Sequence, residues 1–209
     1  MPNNRALIFE RGALIASFVF LVIWSWIDPA DRLTWWLEAL PPIFFIAILA
    51  LAWRYYRPTR ITQWLIYALC VMMVIGAHYT YGDVPPFNWL RDELDLSRNH
   101  YDRVSHFLQG VTVSMLAREL LVRETRFDSA PLLFITVAAA TLGISAGCEL
   151  AEWFAAEVFG GGATAFLGMQ GDQWDAQKDM ALALAGAVVT QLLLARLQDR
   201  QIVAGGALS

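Results

Sequence analysis

The chain has 209 residues, of which 57% are hydrophobic and only 16% charged, whereas soluble domains carry roughly 25% charged residues. Its 9 tryptophans and 12 phenylalanines exceed what a water-soluble core of this size could bury, so the composition excludes an ordinary soluble domain. The net charge is −4 and the basic residues form no run, so no nucleic-acid partner is expected.

Six apolar segments follow one another along the chain, each close to the length that crosses a bilayer. A membrane-spanning helix needs about 20 mostly apolar residues. The predicted spans are residues 6–27, 36–53, 61–79, 101–122, 131–154 and 180–197. They predict an all-α fold, a polytopic membrane bundle of about six transmembrane helices, formed by a single domain over residues 1–209.

The first two segments carry signals at their ends. Arg5 and Arg11 before the first apolar run resemble a secretory signal, but WSWIDPADR lacks the small residues of a cleavage site, which predicts an uncleaved anchor. In the second segment, Pro41 and Pro42 predict that the helix begins near them, leaving Glu38 in an interfacial stretch.

Basic residues are distributed unequally between the two sides of the predicted bundle. The side with fewer holds Arg32, Arg91, Arg98, Arg103 and Lys178, five of the fifteen. The other ten lie on the side of the two termini: Arg5, Arg11, Arg54, Arg57, Arg60, Arg118, Arg123, Arg126, Arg196 and Arg200. Because positive residues stay in the cytoplasm, both termini are predicted to be cytoplasmic. The fourth segment is the weakest span, since polar residues interrupt it between Asp102 and Gln109.

Polar residues gather at the outer ends of four segments. The third segment ends at His78, and the fourth begins with RNHYDRVSHFLQG, where Asp102, His106 and Gln109 have the i, i+4, i+7 spacing of one helix face. Two glutamates in CELAEW are at i, i+3, and three aspartates in GDQWDAQKD are at i, i+3, i+7. These faces are predicted to converge on one acidic pocket that opens to the periplasm.

Charge balance indicates what such a pocket would hold. Six carboxylates face two firm cations, Arg103 and Lys178, so either some carboxyls are protonated or a cation is bound. Mixed carboxylate and imidazole ligands suit zinc, manganese or iron, whereas carboxylates alone suit magnesium or calcium. The expected cofactor is a divalent cation, with candidate ligands His78, Asp102, His106, Glu149, Glu152, Asp175 and Asp179.

The same residues suggest acid–base chemistry on a substrate. The candidate catalytic residues are Asp102, His106 and Glu149, with His106 or Glu149 as general base or metal ligand. Arg103 is expected to hold an anionic group such as phosphate. The expected partners are membrane lipids and a lipid-linked or other envelope substrate. The candidate substrate-binding residues are Tyr101, Arg103, Gln109 and Gln170.

Other interpretations of these residues stay open. Asp102 and Asp172 also suit the first turns of helices, although His106 and Asp179 lie too deep for a capping role. A transporter with an ion or proton relay would need polar residues continuing across the membrane, and a scaffold would use them only to join helices. The glycines at positions 160–162 predict a loop that folds FLGMQGD over the pocket, or a plain turn.

A family resemblance accompanies these motifs. HYTYGDVPPF, RNHYDRVSHFLQG, ARELLVRE, CELAEW and FLGMQGDQWDAQKDMALALAG resemble the YjdF-like bacterial inner-membrane proteins, a family of unknown function, over roughly residues 61–197. The resemblance implies the fold and location, but no activity. More loosely, the pattern is similar to the VanZ-like family, associated with glycopeptide-antibiotic resistance. Arg103 stands where that family commonly has Lys, and Glu152 stands near its usual Gln, so no function is transferred.

Overall fold

The computed structural model describes residues 4–125, 129–160, 166 and 168–204, and these residues form helices and turns without any strand. The all-α prediction is confirmed. A short 3₁₀ helix, Tyr81–Asp83, lies between the third and fourth α-helices. The α-helices are α1 (Asn4–Trp26), α2 (Arg32–Ala52), α3 (Arg60–Tyr79), α4 (Pro85–Glu93), α5 (Tyr101–Glu124), α6 (Ala130–Phe159) and α7 (Asp175–Ala204).

Within the part of the chain that the structure describes, five helices are long and apolar enough to cross a membrane, namely α1, α2, α3, α6 and α7. The sixth long helix, α5, has 24 residues and is about 36 Å long, but it carries more charge. Its charged side chains Asp102, Arg118 and Glu119 are buried, because α5 packs against α3, α6 and α7. The least apolar of the six long helices is therefore the central helix of the bundle.

The start of α2 differs from the prediction. The Asp31 carboxylate accepts a hydrogen bond from the backbone N–H of Thr34 (2.6 Å) and caps a helix that contains Pro41 and Pro42. The predicted start near Pro41 is wrong, because prolines are tolerated inside membrane helices whose neighbours compensate for the missing bonds. As a result Glu38 is a buried helical residue, only 5% exposed, and not an interfacial one.

The two ends of the bundle are distinct. At one end, which we call the terminal end, the first and last helices meet the start of α3. There Arg60 pairs with Glu10 (3.0 Å), and Gln201 accepts a hydrogen bond from the Ile61 backbone N–H (3.1 Å). Helices α5 and α7 begin at the opposite end, which we call the site end.

A buried glutamate joins three helices near the terminal end. The Glu119 carboxylate accepts hydrogen bonds from the Thr59 backbone N–H (2.7 Å) and from the hydroxyls of Thr59 and Thr62 (2.8 Å each). It also accepts one from Arg123 (2.6 Å) and a longer one from Gln198 (3.4 Å). We call these five residues the Glu119 network, and it leaves neither carboxylate oxygen without a donor.

Helices α5 and α7 approach each other closely through glycines. A Cβ atom on Gly110 would lie 1.9 Å from the backbone oxygen of Ala183, and one on Gly186 would lie 2.3 Å from the backbone oxygen of Phe107. Only glycine fits such contacts, and small residues commonly allow membrane helices to pack this tightly. This packing brings the first turns of α5 and α7 side by side at the site end.

Candidate functional site

Three side chains from α5 and α7 converge at the site end. Asp102 and His106 are one turn apart on α5, Asp179 lies on α7, and all three are buried. One ligand atom from each lies within 4.8 Å of the others. Glu149 of α6 adds a fourth group, with its Oε1 3.6 Å from the His106 Nε2. We call Asp102, His106, Glu149 and Asp179 the acid–histidine centre.

The contacts inside this centre are too long to be hydrogen bonds. The His106 Nε2 lies 3.5 Å from the Asp102 Oδ1 and 3.6 Å from the Glu149 Oε1, whereas such bonds span roughly 2.7–3.2 Å. Three polar atoms of the centre are buried without a hydrogen-bond partner: the His106 Nδ1, the Glu149 Oε1 and the Asp179 Oδ1. Buried polar atoms in folded proteins almost always have a partner, so these atoms require an explanation.

Two arginines lie beside the centre and form ion pairs with neighbouring acids. Arg98, only 5% exposed, hydrogen bonds to the Asp175 carboxylate and to the Gly168 carbonyl (3.0 Å), and lies 3.5 Å from the Asp102 Oδ2. Arg103 donates to Asp172 (2.5 Å) and to Asp175 (3.4 Å). Asp175, a predicted ligand, is thus engaged by two guanidinium groups.

A segment at residues 168–174 lies against the centre, where a Cβ atom on Gly168 would be 3.2 Å from the Asp102 Oδ2. Gln170, a predicted substrate-binding residue, exchanges two hydrogen bonds of 2.9 Å with the backbone of Asn99. The Lys178 ammonium, hydrogen bonded to Asp172 at 2.6 Å, holds the pKa of that carboxyl well below its usual range, with help from the Trp174 N–H. The predicted fold-back of this segment relied on the glycines at 160–162, of which 161 and 162 lie outside the described residues.

Two further predicted site residues have other contacts. His78 lies against the Trp24 ring, 4.3 Å between centroids, and its Nδ1 is 3.1 Å from the Ser25 carbonyl oxygen. The structure does not bring His78 together with the acids. The Tyr101 hydroxyl donates to the Met72 carbonyl oxygen (2.7 Å), which ties α5 to α3.

The remaining polar residues border the centre. The Gln109 amide donates to the Cys148 sulfur (3.2 Å), while its carbonyl oxygen is buried without a partner. Glu152 is half-buried, and its charge interacts with those of Glu149 and Glu38. Glu38 has one buried oxygen without a partner, and its charge interacts with that of Asp102.

Sequence reasoning missed Arg98 and Glu38 as members of this site. From the sequence, Arg98 counts only as a basic residue of one side, although its position four residues before Asp102 is a usable signal. Glu38 was the single acid in an apolar segment, which marks a functional candidate once the segment is a membrane helix. With both included, the acids of the site are Glu38, Asp102, Glu149, Glu152, Asp172, Asp175 and Asp179, and its basic residues are Arg98, Arg103 and Lys178. Seven acids against three cations leave four formal negative charges among these residues.

Comparison with known proteins agrees with this architecture. The six long helices and the polar site between them define a multi-pass, all-α membrane protein. Residues 11–200 match the family model described as a predicted membrane protein (DUF2238), so the chain belongs to that family. It is 39% identical over 198 residues to the inner membrane protein YjdF of Escherichia coli (strain K12), covering 95% of this chain and 94% of that protein. The location is accordingly the bacterial inner membrane. No solved structure matches the chain.

Proposed function

We propose that the acid–histidine centre binds a divalent cation, with Asp102, His106 and Asp179 as ligands and Glu149 beside them. The observation that carries the proposal is that Asp102, His106 and Asp179 each offer a ligand atom within 4.8 Å of the others, while the Asp179 Oδ1 and the neighbouring Glu149 Oε1 are buried without a hydrogen-bond partner. An unsatisfied buried polar group costs about 1–3 kcal/mol, and more when it is charged. A bound cation would offset that cost and also reduce the excess of negative charge.

The spacing of the ligand atoms supports an ion between them. Atoms bound at about 2.0–2.2 Å to one tetrahedral ion lie about 3.4 Å apart. The His106 Nε2 lies 3.5 Å from the Asp102 Oδ1, close to that value, and 3.6 Å from the neighbouring Glu149 Oε1. The Asp179 ligand atom lies within 4.8 Å of those of Asp102 and His106. Because the donors include an imidazole as well as carboxylates, zinc, manganese and iron suit the site better than magnesium or calcium.

Such a site would bind or process a lipid-linked or other envelope substrate at the site end, which is predicted to face the periplasm. A cation there would supply Lewis-acid chemistry. Glu149, without a hydrogen-bond partner on its Oε1, is suited to accept a proton. Arg103, on the outer side of the centre, is suited to bind an anionic group of the substrate.

A transport path fits the same polar residues less well. Such a path needs polar groups that continue to the other side of the membrane and are free to exchange partners. Towards the terminal end, the acid next in line is Glu119, and donors of the Glu119 network already occupy its two oxygens. A pocket at the site end needs no polar path across the membrane, so it fits these residues better than a transporter does.

Elemental analysis of the purified protein tests the cation site. After equilibration with zinc or manganese and removal of free metal, we expect about one ion per chain in the wild type. His106→Gln and Asp179→Asn each remove one ligand and should lose most of that metal. Glu93→Gln, which alters an exposed acid on α4, is the matched control and should retain it. A wild type that binds no transition metal, or variants that bind as much as the control, would contradict the proposal.

A further inference from the structure

A groove of about 540 Å³ runs between the first turns of α5 and α7, beside the acid–histidine centre. Its lining combines basic and apolar side chains: His100, Arg103, Val104, Phe107, Lys178, Ala181 and Leu182. Val104 is 43% exposed and Ala181 is also exposed, although both belong to helices of the membrane bundle. The groove therefore opens sideways, towards the surrounding lipid.

Basic and apolar residues form two layers in this groove. Arg103 and Phe107 are four residues apart on α5, and Lys178 and Leu182 are four residues apart on α7. Both helices start at the site end, so on each one the apolar side chain lies about 6 Å deeper than the cation. This order matches an amphiphile with an anionic head at the interface and a hydrocarbon chain in the bilayer.

The cationic layer has hydrogen-bonding capacity left over. Arg103 and Lys178 both donate to the Oδ2 of Asp172, at 2.5 and 2.6 Å, so two cations share one carboxylate. The Nε of Arg103 is buried and has no partner. A phosphate group supplies several strong acceptor oxygens for these donors.

Asp175 and Arg98 link the cationic layer to the proposed cation site. Arg103 and Arg98 both contact Asp175, and Arg98 lies 3.5 Å from Asp102. Resting on the proposed function, we infer that the groove binds the substrate as a lipid phosphate, with the phosphate on Arg103 and Lys178 and the chain between Val104, Phe107 and Leu182. The phosphate then lies next to the centre that would act on it.

Lipid binding to the detergent-solubilised protein, measured by native mass spectrometry, tests this inference. The probe is dioleoyl phosphatidic acid, compared with dioleoylglycerol, which lacks the phosphate, and with inorganic phosphate, which lacks the chains. We expect the wild type to prefer the lipid phosphate to both. Lys178→Gln removes a charged donor and Ala181→Phe fills the groove, and each should weaken binding roughly tenfold.

Two control variants and the metal content separate the possible results. Arg91→Gln changes an arginine on α4, and Ala140→Phe changes an exposed alanine on α6, so both should bind the lipid as the wild type does. Equal affinity in the groove and control variants, or binding of inorganic phosphate as tight as that of the lipid, would overturn the inference. If the wild type holds metal while the groove variants bind lipid normally, only the groove assignment fails. If the groove variants lose lipid but the wild type holds no metal, only the cation site fails.

Discussion

Two glutamates of this protein, Glu119 and the partly buried Glu149, have opposite surroundings. Glu119 is fully buried and accepts hydrogen bonds from Thr59, Thr62 and Arg123. Glu149 has a buried oxygen without any donor, and its charge interacts with the like charges of neighbouring acids. The surroundings of Glu119 are typical of a residue that stabilises the fold, whereas those of Glu149 are typical of a ligand-binding residue.

The two glutamates should therefore respond differently to substitution. Glu119→Gln removes charged hydrogen bonds and should destabilise the protein by about 1.5–3 kcal/mol. Glu149→Gln, in protein treated with a chelator, removes repulsion among like charges and should leave the melting temperature unchanged or raise it. Thermal unfolding in detergent measures both. If Glu149→Gln were as destabilising as Glu119→Gln, the acid–histidine centre would also serve to stabilise the fold.

At the residue scale, helical spacing accounts for much of what the sequence could predict. The i, i+4 spacing of Asp102 and His106 places both side chains on one face of α5, where the structure has them. Spacing cannot reveal which face of a helix packs against which neighbouring helix. His78 shares the depth of the acids but lies against α1, and for the same reason the contact of Arg98 with Asp175 required the packed structure.

At the scale of elements, the contact between α5 and α7 depends on Gly110. A methyl group there would lie 1.9 Å from the Ala183 backbone oxygen, so Gly110→Ala must push the two helices apart. We expect a destabilisation of about 1–3 kcal/mol, measured as a lower melting temperature, and a loss of cation binding.

The control for this substitution is Gly143 on α6. A Cβ atom at Gly143 would have no neighbour within 4 Å. Gly143→Ala should be neutral or slightly stabilising, because alanine favours the helix over glycine by about 0.8–1 kcal/mol. Equal melting temperatures for the two variants would mean that the close approach of α5 and α7 does not contribute to stability.

The sequence predicted which segments are helices better than where they begin. Apolar length identified the segments, since a bilayer imposes a minimum on each one. Pro41 and Pro42 do not mark the start of α2, because Asp31 supplies its cap ten residues earlier in the chain. Similarly, α5 is central in the bundle even though its charges weaken its apolar signal, because neighbouring helices bury those charges.

At the scale of the whole molecule, the orientation in the membrane stays a prediction from the distribution of basic residues. The structure adds that Arg98 and Arg103, counted on the site end, are engaged with acids of the site. Because the charges of Arg98 and Arg103 are neutralised in this way, they offset little of the arginine excess at the terminal end. The expected result is that both termini lie in the cytoplasm.

Labelling of single cysteines with a membrane-impermeant maleimide tests that orientation. In a chain whose Cys70 and Cys148 are replaced by serine, Glu93→Cys on α4 should react in spheroplasts. Tyr55→Cys, which follows α2 and is 77% exposed at the terminal end, should react only after lysis. The reverse pattern would place the acid–histidine centre on the cytoplasmic side.

The position of α5 within the bundle bears on how the chain is assembled. Arg118 of α5 pairs with Gln198 and Asp199, and Gly110 packs against Ala183, all of them on α7. The ribosome delivers α5 before these partners exist, and charged residues enter the bilayer unfavourably when alone. The central helix is therefore completed by a helix that is synthesised after it. A chain cut short before α7 would still contain α5, but it would lack the partners that stabilise α5 between the other helices.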